Sequence, residues 1–148
     1  MHPTFQDPYV ISMQWVFLAV LAISLLVLAM LWRRRSAYII TALPLVFLAC
    51  HQVEEYLIAP FILGNEYHFL NWAFRSGLDI SPVAVVSVNL FGYFGATILY
   101  LFRPSTQLFS LVFLFINAMT LANGMFHIGV ATMQSDYSPG MISALFMF

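Results

Sequence analysis

The sequence His51-Gln-Val-Glu-Glu-Tyr56 interrupts an otherwise apolar stretch and decides how the chain is organised. Residues 37–50 before it and 57–63 after it carry no Asp, Glu, Lys or Arg. Residues three and four positions apart on a helix share a face, so His51, Glu54 and Glu55 are predicted to point the same way. Two carboxylates and an imidazole inside an apolar helix are costly unless something pairs with them.

The composition indicates an integral membrane protein. Hydrophobic residues make up 62% of the 148 residues and charged residues only 7%, against roughly 25% charged residues in soluble domains. The five basic residues are all arginines, and the net charge is −1, which excludes the basic surface of a nucleic-acid-binding protein. A single cysteine, Cys50, allows no internal disulfide. We predict one all-α domain, residues 1–148, folded as a polytopic transmembrane helix bundle surrounded by membrane lipids.

The apolar segments predict four full spans and a partial fifth, since about 20 apolar residues cross the hydrocarbon core. The full spans are placed at about residues 14–32, 37–63, 83–102 and 108–133. Residues 141–148 are too few to cross, so either the chain is cut within a fifth span, which we favour, or this segment lies against the bundle. Residues 64–82 are predicted to form a polar loop.

The arginines predict the orientation. Residues 33–35 and Arg103 fall in the turns after the first and third spans, and short loops rich in arginine stay in the cytoplasm. The N-terminus is therefore expected outside, in a bacterial cytoplasmic membrane. The polar residues of the second, third and fourth spans then lie at a similar depth in the outer half, which predicts a single site. These residues are His51, Glu54, Glu55, Asn89, Asn123 and His127.

Three arrangements could stabilise the buried acids of this site. One carboxylate is protonated and bonded to an asparagine; or His127 or Arg75 neutralises the pair; or a divalent metal does. Nitrogen and carboxylate donors without a thiolate suit zinc, iron or manganese. Di-iron bundles use two Glu-x-x-His pairs, and only one such pair, in reverse order, is present here, so a mononuclear site is predicted over a dinuclear one.

These residues suggest a metal-dependent membrane enzyme, a hydrolase or an oxidase or desaturase, acting on a hydrophobic or lipid-like substrate. In the primary hypothesis His51, Glu54 and His127 hold the metal, and Glu55 is the general base. Tyr137, a further catalytic candidate, caps the outer mouth, and Asn89 and Asn123 orient the ligands. The candidate metal ligands are His51, Glu54, Glu55 and His127.

Two other functions remain open on the sequence. The chain could be a non-catalytic subunit or assembly factor of a larger membrane complex, with other membrane subunits as partners. His51 and His127 could instead hold a haem or a chlorin, although adjacent glutamates are unusual there. His68 is expected to be solvated in its loop beside Glu66. Ser138 has no neighbouring base in the sequence, which disfavours a serine nucleophile.

The order of the motifs resembles that of a known family. His51-Gln-Val-Glu-Glu55, a second histidine at His127 with an asparagine four residues before it, and Tyr137-Ser-Pro-Gly140 are similar to the three signatures of the HXXEE-motif family of small membrane proteins. The function of that family is not established, so the resemblance implies positions of interest and no reaction. Those positions are His51, Glu54, Glu55, His127, Tyr137, Pro139 and Gly140.

Overall fold

In the computed structural model, which describes residues 8–95, 98 and 105–147, the chain is almost entirely helical. Two π-helical segments, Glu54–Ile58 and Ser87–Gly95, continue α2 and α5, and a short 3-10 turn spans Asn65–Tyr67. The predicted all-α class is confirmed over these residues. The α-helices are α1 Pro8–Arg33, α2 Ile39–Val53, α3 Ala59–Leu63, α4 Phe69–Arg75, α5 Pro82–Val86, α6 Thr106–Gln134 and α7 Met141–Ala144.

Within the described ranges of the chain, three helical stretches are long and apolar enough to cross a membrane. They are Ile11–Arg33, Ala42–Leu63 and Thr106–Gln134, and they correspond to the first, second and fourth predicted spans. The third predicted span, 83–102, begins as a shorter apolar helix, Pro82–Gly92. Apart from residue 98, its positions after residue 95 lie outside the described part of the chain.

The π-helical turn between α2 and α3 follows from Pro60. A proline has no N–H, so the carbonyl of Tyr56, four residues earlier, has no donor within the helix. The backbone widens instead, and the Ala59 N–H bonds to the carbonyl of Glu54, five residues back. Gln14 of α1 donates its side-chain amide to the Tyr56 carbonyl at 3.1 Å. The Tyr56 carbonyl, which lacks its α-helical donor because of Pro60, thus accepts a hydrogen bond that joins α1 to the motif.

The predicted polar loop contains a buried helix. In α4 four apolar residues are buried and share one face, and they pack against α1 and the end of α2. The prediction of a loop is wrong here because the helix is short and is flanked by polar residues, which hide its periodicity. The four residues are Phe69, Leu70, Trp72 and Ala73.

The end of the described chain folds back onto α2. The hydroxyl of Ser105 accepts the N–H of Leu108 at 3.1 Å and begins α6, and Ser135 ends α6 in the left-handed conformation at φ 52°. Residues 137–140 then form a turn, which we call the YSPG turn, and α7 follows. The start of the predicted fifth span therefore lies against the bundle.

Candidate metal centre

Three side chains from α2, its π-helical extension and α6 converge in the interior. One oxygen of Glu55, Oε1, lies 3.3 Å from Nε2 of His51 and 3.0 Å from Nε2 of His127. The ligand-type atoms of the three residues all lie within 4.8 Å of one another. The exposed fractions of His51, Glu55 and His127 are 0%, 2% and 0%. We call these three residues the HEH group.

Both imidazoles form hydrogen bonds through Nδ1, whereas Nε2 faces Glu55. Nδ1 of His51 lies 3.0 Å from the carbonyl oxygen of Gly140 and 3.0 Å from the hydroxyl of Ser143. Because a carbonyl can only accept, this Nδ1 carries the hydrogen, and Nε2 of the neutral ring carries a lone pair. Nδ1 of His127 lies 2.9 Å from the hydroxyl of Ser138. Histidines that bind metals are oriented in this way.

The Nε2 atoms of His51 and His127 are buried, and both face the same carboxylate oxygen of Glu55, at 3.3 and 3.0 Å. Acceptor atoms that face one another repel unless a proton or a cation lies between them. Arg75, one candidate counter-ion, instead lies over the ring of Tyr67 at 5.3 Å. Within the described part of the chain, the HEH group is therefore held together either by a proton on one of its imidazoles or by a bound cation, and not by Arg75.

The two adjacent acids have different surroundings. The carboxylate of Glu54 accepts three hydrogen bonds, from the hydroxyl of Tyr137 at 2.5 Å and from the backbone N–H groups of Ile142 and Ser143 at 3.0 and 2.7 Å. The carboxylate that reaches the imidazoles is that of Glu55. This differs from our sequence-based hypothesis, in which Glu54 binds the metal and Glu55 is the base, because successive helical residues point about 100° apart.

The YSPG turn forms hydrogen bonds with Glu54 and with both histidines of the HEH group. Tyr137 bonds to Glu54, Ser138 to His127, and Gly140 to His51. Pro139 and Ser138 are fully buried. Burial and the hydrogen bond to Glu54 raise the pKa of the Tyr137 phenol, so it remains a donor at neutral pH. The turn therefore positions the site and excludes water from it.

Gly140 is required by the geometry of this turn. Its φ of +92° is a conformation that residues with a Cβ rarely adopt. A Cβ built at this position would meet Cε1 of His51 and lie 2.9 Å from Cγ of Glu55. The backbone of Gly140 approaches the HEH group more closely than any residue with a side chain could.

Asn89 and Asn123, the predicted orienting residues, lie in the wall of a cavity that also reaches Glu55. The cavity has a volume of about 360 Å³ and lies between α2, α5 with its π-helical extension, and α6. Asn89 donates its amide to the carbonyl of Val85 on its own helix, at 3.0 Å. These asparagines are placed beside a ligand-sized space and not behind the imidazoles.

His68 is fully buried, against our prediction that it is solvated. It precedes α4, and its ring packs edge-on against Tyr56 with centroids 5.2 Å apart. Burial lowers its pKa from the ordinary 6.5 to about 4. The error has the same origin as the missed helix, since His68 enters the interior with the apolar face of α4.

We expect the protein to lose stability as the pH falls from 6.5 to about 4, because in this window the unfolded chain protonates His68 and the folded chain does not. The contribution of His68 is up to about 3 kcal/mol. Thermal unfolding of the wild type and of His68→Gln between pH 7 and pH 4 measures it. The wild type should lose more stability than the variant over this range, and identical pH profiles would contradict the assignment.

Ser138 does have a base in space, against our prediction from the sequence. Its hydroxyl lies 2.9 Å from Nδ1 of His127, and Nε2 of that ring lies 3.0 Å from Glu55. The connectivity is serine, imidazole, carboxylate. The sequence conceals it because His127 is near the end of a long helix and Ser138 lies in the turn that folds back on it.

The haem or chlorin alternative does not fit this geometry. The rings of His51 and His127 pack edge to face with centroids 4.7 Å apart, and both Nε2 atoms approach the same oxygen of Glu55. A macrocycle with two axial histidines would have to lie between the two Nε2 atoms, and the carboxylate of Glu55 occupies that position.

Fold and site together define a small helical protein that has, among its described residues, three helices long and apolar enough to cross a membrane and a buried His/Glu/His group of metal-ligand type. The chain belongs to the family described as proteins of unknown function with an HXXEE motif, whose family model matches residues 41–148. This confirms the resemblance seen in the three motifs. No curated protein and no solved structure matches the chain significantly.

Proposed function

We propose that the protein is a metal-dependent membrane enzyme that acts on a hydrophobic or lipid-like substrate, and that His51, Glu55 and His127 hold one divalent transition-metal ion. The observation that carries this proposal is the convergence of two Nε2 atoms and one carboxylate oxygen in a fully buried site. The Nδ1 atoms of the two histidines form hydrogen bonds with the carbonyl of Gly140 and the hydroxyl of Ser138. The sequence-based ligand set is thereby reduced to three residues, and Glu54 becomes the residue that holds the YSPG turn.

Two histidines and one carboxylate are the protein ligands of catalytic zinc sites such as that of thermolysin, and also of non-haem iron oxygenases. Bound zinc would supply an activated water for hydrolysis, and bound iron would supply oxidation or desaturation. We place hydrolysis first, since the two histidines, one glutamate and an adjacent cavity are the parts that a zinc hydrolase needs. The protein orients the rings and keeps bulk water out through the YSPG turn and α4.

The test is the metal content of the full chain, purified in mild detergent with a tag that contains no histidine. We expect about one equivalent of a transition metal per chain, and loss of that metal in Glu55→Gln and His127→Asn because each removes a ligand. Two matched variants should retain it: Glu54→Gln, the adjacent acid, and His68→Gln, another buried histidine. Negligible metal in the wild type, or equal metal in Glu55→Gln, would refute the proposal.

A second candidate is supported by the contacts of Ser138. The arrangement of Ser138, His127 and Glu55, with separations of 2.9 and 3.0 Å, is that of a nucleophile, a base and an orienting acid. This function requires the YSPG turn to open, because Ser138 is fully buried. A metal-free wild type that a fluorophosphonate labels, with no labelling of Ser138→Ala, would favour a serine hydrolase over a metalloenzyme.

We also propose that the N-terminus lies outside a bacterial cytoplasmic membrane. Arg33 at the end of α1, and Arg34 and Arg35 in the turn that follows, are exposed, and clustered arginines at a short loop favour the cytoplasmic side. The HEH group then belongs to the outer half of the bundle. Labelling of introduced cysteines at Ser36 and Ser76 in a Cys50→Ala background, with a reagent that does not cross membranes, tests the orientation; labelling at Ser36 alone would reverse it.

A further inference from the structure

The cavity of about 360 Å³ that reaches Glu55 has a polar deep end. Gln52, Glu55 and Tyr56 line it there, with exposed fractions of 4%, 2% and 0%. The volume lies at the lower end of the range of small-molecule pockets, which is about 300–1,000 Å³. The deep end of the cavity is therefore next to the HEH group, and the cavity is large enough for a ligand.

The mouth of the cavity is apolar and lies at the surface of the bundle. Ala84 and Val88 on α5 and its extension, and Ala122 on α6, line the cavity and are exposed. Their small side chains leave a gap between the two helices, and the surface there would face lipid. A molecule that enters through this gap would arrive from the membrane.

The deep end contains unsatisfied hydrogen-bonding groups. The amide oxygen of Gln52 and the phenol oxygen of Tyr56 are buried and have no hydrogen-bond partner among the residues that the structure describes. A buried polar atom without a partner costs roughly 1–3 kcal/mol. A ligand that offers both a donor, for Gln52, and an acceptor, for Tyr56, would remove both costs, and an amide or a hydroxyl group does so.

The charges of the lining select against an ionic head group. Among the described residues, the lining contains one carboxylate, that of Glu55, and no lysine, arginine or histidine. An anionic head would find no cationic side chain in this lining, and the positive charge proposed nearby, that of the metal ion, is already held by Glu55 and the two histidines. A cationic head would compete with the two imidazoles that already face the same carboxylate. A neutral head fits best.

We propose that this cavity binds a neutral single-chain amphiphile, with its amide or hydroxyl head at Gln52 and Tyr56 and its apolar chain extending between α5 and α6 into the membrane. This inference deepens the proposed function, on which it rests for Glu55 as the reacting end of the cavity. It names the substrate class of the enzyme as membrane-derived molecules whose polar head is uncharged.

Equilibrium binding of radiolabelled dodecanamide to the full chain in phosphatidylcholine nanodiscs tests the proposal. Dodecanoate and dodecylamine serve as charged competitors of the same chain length, and each should bind at least roughly tenfold more weakly. Gln52→Leu should weaken dodecanamide binding by roughly tenfold, because one hydrogen bond is lost. Ala122→Trp fills the mouth and should abolish binding.

Leu121→Trp is the matched control for Ala122→Trp. Leu121 is the preceding residue, is 44% exposed and is not part of the lining, so this variant should bind dodecanamide as the wild type does. Equal binding by Ala122→Trp and Leu121→Trp would overturn the proposal, and so would preferred binding of either charged competitor.

The binding assay separates this inference from the proposed metal site. His127→Asn removes a metal ligand and leaves the lining unchanged, so it should still bind dodecanamide. If the wild type contains metal but shows no preference for the amide, the substrate class is wrong and the metal site stands. If the wild type contains no metal but binds dodecanamide as described, the cavity assignment stands and the metal site is wrong.

Discussion

Gly140→Ala is expected to remove the metal ion that we propose for the HEH group and to lower the Tm by on the order of 10 °C. The φ of Gly140 is +92°, and an L-residue in the left-handed region costs about 1–2 kcal/mol. The added methyl would also meet Cε1 of His51 and lie 2.9 Å from Cγ of Glu55. Both neighbours are buried within a packed bundle, so the methyl can be accommodated only by moving the HEH group or the YSPG turn.

Gly77→Ala is the control that isolates the steric contact. Gly77 has a φ of +80°, and no heavy atom lies within 4 Å of the position that its Cβ would take. We expect this variant to lose about 1–2 kcal/mol of stability from backbone strain alone and to keep its metal. Metal analysis and thermal unfolding of both variants give the comparison. Similar losses in the two would show that the approach of Gly140 to His51 is not important.

Glu54→Ala is expected to be the most destabilising substitution at an acidic residue, with a loss of about 3–5 kcal/mol. It leaves the hydroxyl of Tyr137 and the N–H groups of Ile142 and Ser143 without their acceptor. Hydrogen bonds to charged groups contribute about 1.5–3 kcal/mol each. Thermal unfolding measures the loss, and hydrogen exchange should show the YSPG turn and α7 losing protection first.

Tyr137→Phe removes one of these three hydrogen bonds and should cost less, about 1.5–3 kcal/mol. Glu54→Gln keeps an acceptor oxygen and should fall between the wild type and Glu54→Ala. If Glu54 bound the metal directly, as our sequence-based hypothesis has it, Glu54→Gln would lose the metal while keeping most of its stability. The expected pattern is the reverse, with stability reduced and the metal retained.

The meeting of the second and fourth predicted spans could be predicted from single residues. His51 and His127 each interrupt a long apolar run at a similar distance from the same end, and burial of an imidazole in lipid would be costly. This reasoning does not distinguish Glu54 from Glu55, because the helical period places both on roughly the same side. The distinction depends on α7, because the backbone N–H groups of Ile142 and Ser143 donate hydrogen bonds to the carboxylate of Glu54. The spacing of residues along the sequence does not predict this long-range contact.

Other features of the fold have only a partial signal in the sequence. Pro60 lies four residues after Tyr56, so a missing hydrogen bond at the Tyr56 carbonyl could be predicted, but the π-helical turn could not, since Pro44 lies within regular α-helix. The partner of the Tyr56 carbonyl, Gln14, was not predictable, since a long-range contact carries no local signal. The burial of His68 was missed because α4 is only seven residues long, and a helix of two turns shows little periodicity.

The burial of the HEH group determines how the metal ion that we propose there would exchange with solution. From one side the group is covered by the YSPG turn, whose Ser138 and Pro139 are fully buried. From the other side the approach is through an apolar, membrane-facing mouth that a hydrated cation would not enter. A bound ion would therefore leave only when the YSPG turn opens. A chelator would then remove the ion at a rate that does not depend on the chelator's concentration.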